Sequence, residues 1–124
     1  MKRTTVRAGS AREFFERGRQ YAHHARTGKR LPESHLITFE DPADMMRVLS
    51  PAKLELLRTV KLHPGSIGSL ASRLGRDRSA VTREVAQLQR FGLVLVAEEV
   101  HPGHGRMKKV SPVAGEIRLE AVIA

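Results

Sequence analysis

The residues best suited to do chemistry lie in LGRDRSAVTREVAQLQRFGLV, residues 74 to 94, which holds four arginines, two acids and a row of apolar side chains. After Asp77 as N-cap, Val81, Val85 and Leu88 recur at the spacing of a narrow apolar helix stripe. At about 100° per residue, Ser79, Arg83, Ala86 and Arg90 fall on the opposite side, with Thr82 and Gln87 flanking them and Arg78 at the helix start. Short hydrogen-bonding side chains interleaved with guanidinium groups suit phosphates and the edges of bases, because both present acceptors that a fork of N–H donors can meet. A second cationic set, Arg106, Lys108 and Lys109, follows the Pro- and Gly-rich run HPGHG. Catalytic chemistry finds no comparable set. There is no Gly-rich phosphate loop, no HExxH and no carboxylate cluster beside a candidate base, so an enzyme is not expected. With no cysteine, a thiol nucleophile, a disulfide framework and a zinc finger are excluded. His101 and His104 lack a partnering carboxylate or thiolate, and neither a metal nor a cofactor is expected.

Charge supports an anionic partner. Against 13 acidic residues stand 22 basic ones, a formal net charge of +9, which favours a polyanion, nucleic acid first and a membrane surface second. No apolar run approaches the roughly 18 residues that span a bilayer, and the N-terminus lacks a secretory h-region. A cytoplasmic protein without membrane association is the expectation. The basic residues concentrate in 1–30 and 51–92, separated by an acidic connector at 31–50, which reads as an arm and a body. With 40% apolar and only 4% aromatic residues, the core must be mostly aliphatic.

The elements that position these residues follow from periodicity and punctuation. MKRTTVRAGS reads as a mobile basic tail. Ser10 with Glu13 resembles a capping box, and Phe14, Gly18, Tyr21, Ala22 and Ala25 continue at helical spacing to about Thr27, a helix for body packing or dimerisation. HLITF is a short β-like run read as an edge strand. Asp41-Pro42 and Ser50-Pro51 each start a helix. The first has Met45, Met46, Val48 and Leu49 as core filling, and the second turns Leu54, Leu57 and Val60 inward. Ser66 caps a third helix with Ile67, Leu70, Ala71 and Leu74 facing the core, and Gly75 stops it. The helix of 77–91 comes next, then a hairpin from Leu93 to about Val110, a turn at SPVAG, and EIRLEAVI as a half-buried strand. Ala71, Gly75 and Val81 make the middle a helix-turn-helix, the small alanine allowing close approach and the valine filling the crotch.

At these residues the sequence resembles a known family. LASRLGRDRSAVTREVAQLQRFGLV looks like the helix-turn-helix and strand entry of winged helix-turn-helix transcriptional regulators of the MarR-like kind, through L-A-x-x-L-G, two valines four apart and L-x-x-x-G-L-V. ITFEDPADMMRVLSPAKLELLRTV and the ending EIRLEAVIA are similar to a group of small predicted prokaryotic DNA-binding proteins, a likeness that runs from Ile37 to the C-terminus. The resemblance implies an α+β fold, a three-helix body with a β-hairpin wing in residues 37–124, preceded by an N-terminal tail and helical extension in 1–36. It also implies a homodimer on double-stranded DNA. Carried over residue by residue, Arg78, Ser79, Thr82 and Arg83 enter the groove, and Arg106, Lys108 and Lys109 form the wing contact. MarR-like proteins generally dimerise through long terminal helices, whereas this chain ends in a predicted strand.

Two other functions compete with a homodimeric repressor or autorepressor. An antitoxin would bind a partner toxin protein through residues outside the helix-turn-helix and repress its own operon. RNA binding is disfavoured by the scarcity of aromatic residues on strand-like segments, where bases would stack. The basic tail could track a minor groove or remain unstructured.

Overall fold

The computed structural model describes residues 3–8, 33–101, 103 and 105–123. Among these residues, six strands and four helices make a mixed α+β fold. In chain order they are β1 (Arg3–Ala8), β2 (Ser34–Phe39), α1 (Pro42–Val48), α2 (Pro51–Leu62), β3 (Gly65–Ser66), α3 (Ile67–Leu74), α4 (Arg78–Arg90), β4 (Val94–His101), β5 (Gly105–Pro112) and β6 (Glu116–Ala121). The expected helix at 10–27 lies outside the described residues.

Helix starts follow the punctuation of the sequence. Asp41 accepts a hydrogen bond from the Ala43 amide at 2.9 Å, Ser50 from Lys53 at 3.3 Å and Ser66 from Ser69 at 3.1 Å, each satisfying an amide that the first helical turn leaves without a partner. Gly75 closes α3 in the left-handed conformation at φ 63°, and the Arg76 amide returns to the Ala71 carbonyl at 3.0 Å. A side chain at 75 would strain this turn.

The described strands form two three-stranded sheets. The first, ordered β1-β2-β6, is parallel throughout; the second, β3-β5-β4, is antiparallel. Two expectations are corrected here. The stretch expected as a mobile tail contains β1, whose Thr4, Thr5 and Val6 are β-branched types favoured in strands and pair with His35, Leu36 and Ile37. The run HLITF is not an edge strand, since β2 is central, with β1 on one side and β6 on the other. His35, Ile37 and Phe39 alternate onto the face turned to the core and are buried, whereas Leu36 and Thr38 on the other face are half-buried. The boundary at residue 36 drawn from sequence falls inside β2.

One core joins the helices to both sheets. It contains Ile37 and Phe39, Val48, Leu56, Leu57 and Val60 of α1 and α2, Leu70 and Ala71 of α3, Val81, Val85 and Leu88 of α4, and Leu93, Val94 and Val110 at the hairpin. Leu56 is fully buried and takes the place expected of Leu54, which is half-buried. Met46, expected as core filling, is 72% exposed, while Met45 packs against the core. Adjacent residues of a helix point about 100° apart, so α1 turns Met45 toward the core and Met46 away from it. A smaller cluster of Leu95, Val113 and Ala114 packs with Ile117 and ties the root of the hairpin to β6.

Candidate functional site

The outward face of α4 is assembled from behind. Val81, Val85 and Leu88 are at most 3% exposed, and burying side chains of this size contributes roughly 1.5–3 kcal/mol each. This fixes the helix rotation, and Ser79, Thr82, Arg83, Gln87 and Arg90 are consequently exposed, with the Asp77 carboxylate beside Ser79 at the N-terminal end.

Within that face the side chains differ in what they are free to do. Thr82 donates its hydroxyl to the Arg78 carbonyl at 2.8 Å, leaving its methyl and oxygen outward. Ser79 donates to the Asp77 carboxylate, which makes no capping bond to the helix amides. For Ser79 to donate to a phosphate it must first release Asp77. Arg78 is exposed but bends back: a Cβ built at Gly68 would lie 3.7 Å from its Cζ. Its guanidinium therefore lies over the first turn of α3, to one side of the row formed by Arg83 and Arg90.

The turn between α3 and α4 carries a residue that the sequence reading passed over. Arg76 donates to Glu84 of α4 at 2.8 Å, to Glu55 of α2 at 2.9 Å and to the Ala52 carbonyl at 3.0 Å. Its side chain and that of Glu84 are each only 21% exposed. One planar guanidinium thus fixes α4 to α2 from the turn, as its fork geometry permits and a lysine ammonium does not. The sequence signal was present as Glu84, eight residues on, but nothing local marks Glu55 as the third partner. Arg76→Met is expected to lower unfolding free energy by about 2 kcal/mol in urea titration, with Arg76→Lys recovering only part of it.

The hairpin places the second cationic set on β5. Arg106 lies 3.6 Å from Glu98 and Lys109 3.8 Å from Glu99, while Lys108 lines a groove with Gln89, Val96, Ala97 and Glu98. Arg106 and Lys109 therefore face carboxylates across the hairpin. Long, exposed pairs of this kind contribute about 0–1 kcal/mol, so both cations can turn to a stronger anion at little cost. The two glycines at the tip, Gly103 and Gly105, have positive φ, which lets the chain reverse. His104 lies outside the described residues. Among the described residues no helix is long and apolar enough to cross a membrane.

The class of protein is therefore an α+β one in which a cationic helix is held by a helical body and followed by an antiparallel hairpin. The chain belongs to the HVO_A0114 family, whose model matches residues 48–119, from the end of α1 into β6. No curated protein matches it.

Proposed function

We propose that the chain is a sequence-specific, double-stranded DNA-binding transcriptional regulator of the winged helix-turn-helix type, acting as a homodimeric repressor or autorepressor. The observation that carries this reading is the division of α4 into a sealed aliphatic edge and an exposed edge bearing Arg83, Arg90, Thr82 and Gln87. A helix of this width fits the major groove, where forked Arg donors meet guanine acceptors and Gln meets adenine. α3, the Gly75 turn and α4 supply the helix-turn-helix, and β4 and β5 the wing. On the wing, Arg106 and Lys108 then offer one face of β5 to phosphates and Lys109 the other. The net charge of +9 adds a sequence-independent attraction that weakens as salt rises.

Competitive binding to duplexes selected from a random pool tests the reading. Arg83→Ala is expected to lose about 1–3 kcal/mol of discrimination at one or two base pairs. Lys108→Ala is expected to weaken all duplexes alike and to reduce the salt slope by about 1. Equal losses on selected and random duplexes for Arg83→Ala would refute base readout by α4. Selected sites are expected to contain inverted half-sites whose centres lie about 10 bp apart, or a multiple of that.

A further inference from the structure

We propose that β6 is a dimerisation edge, pairing antiparallel with β6 of a second copy of this chain so that Leu119 lies opposite Leu119. β6 ends its sheet, and among the described residues its only strand neighbour is β2. The Glu116 amide donates to the Glu33 carbonyl at 2.8 Å, and Ser34 is the register partner of Glu116. In a parallel pair the N–H and C=O of one residue point to the same side and successive residues alternate. Glu116, Arg118 and Glu120 therefore direct their backbone groups toward β2. Ile117, Leu119 and Ala121 direct theirs to the outer side, where no described strand pairs with them.

The side chains of those same three residues show the second half of the argument. They face the core that β2 also faces, but Ile37 and Phe39 of β2 are 0% and 4% exposed, whereas Ile117, Leu119 and Ala121 are only partly buried. Val122 and Ile123 follow directly and are 62% and 86% exposed. An outer edge with outward amides and a half-covered apolar face is suited to another strand.

Charge selects the occupant and the register. With Leu119 on the two-fold axis, Ile117 opposes Ala121 of the second copy, and each outward N–H and C=O of these three residues gains a partner. In the same register Arg118 opposes Glu120 of the second copy, twice, at the close spacing of a non-hydrogen-bonded antiparallel pair. Sliding by one step opposes Arg118 to Arg118 and Glu116 to Glu120, or else Glu120 to Glu120. Like charges directly opposite are unfavourable, which penalises both neighbouring alignments. Centring on Ile117 also opposes Arg118 to Glu116 but sets Leu119 and Ala121 against residues that precede the strand. The alignment on Leu119 is therefore the complementary one that pairs the strand from Ile117 to Ala121. The result is a continuous six-stranded sheet with both cores on one side. Glu116, Arg118 and Glu120 are exposed on the other side, and Arg118 keeps its 3.1 Å contact with Glu116.

This inference shares with the proposed function only the homodimer, and its test contains no DNA, so either can fail alone. Sedimentation velocity of the full chain is expected to show a dimer. Arg118→Glu and Glu120→Arg, each with an unchanged circular dichroism spectrum, are expected to weaken it about tenfold or more. An equimolar mixture of the two variants is expected to dimerise again, because every opposed pair is then of opposite sign. A monomeric wild type overturns the proposal, as does either variant dimerising as tightly as wild type, or a mixture that associates no better than its components.

Discussion

Leu88→Ala is expected to lower the free energy of unfolding by about 2–5 kcal/mol, seen as a large drop in urea midpoint. Leu88 is fully buried on the inner edge of α4, where α2, α3 and the start of β4 meet, and four elements must shift together to refill the lost volume. Protein interiors are packed too densely for that, so most of the cavity should remain. Because the substitution leaves Arg83, Thr82, Gln87 and Arg90 in place, DNA discrimination by the fraction that stays folded is expected to match wild type. A destabilised variant with altered base preference would instead mean that the core edge and the outward edge are not separable.

Acidification is expected to remove about 3 kcal/mol of stability between pH 6.5 and 4 through His35 alone. His35 is 2% exposed in the central strand β2, and burial lowers its pKa from 6.5 to about 4. Above pH 6.5 the imidazole is neutral in both the folded and the unfolded chain, and its stabilising contribution is complete. Below 6.5 the unfolded chain takes up a proton that the folded one excludes, so stability falls by up to about 1.4 kcal/mol per pH unit until the folded imidazole also titrates near 4. Urea titrations of wild type and His35→Phe at several pH values isolate this part from that of the carboxylates. The two curves should diverge across this window and run parallel below it, and parallel curves throughout would show that the imidazole titrates alike in the folded and the unfolded chain.

The outward face of α4 was legible in the sequence because it depends on periodicity alone. Once Val81, Val85 and Leu88 are recognised as one edge, the helical repeat determines where Arg83 and Arg90 point. The helix starts at Asp41, Ser50 and Ser66 and the left-handed stop at Gly75 were equally local, since a cap or a turn involves residues only a few positions apart. Arg78 was assigned to the groove by the family resemblance and not by periodicity, and its long side chain bends back over Gly68, a choice made by a neighbouring helix.

By itself, then, the sequence determined where the helices between residues 42 and 90 start, which edge of α4 is apolar, and that the chain carries a large positive charge. Tertiary structure alone decided that β2 is central, that β1 joins it and that β6 becomes an edge. Parallel pairing brings together segments some 80 residues apart, and nothing in a strand's own alternation names its neighbour. The same holds for Arg76, whose three partners come from α2 and α4. Its guanidinium is one cation among many in the sequence, and only the folded packing of those helices makes it the link between them.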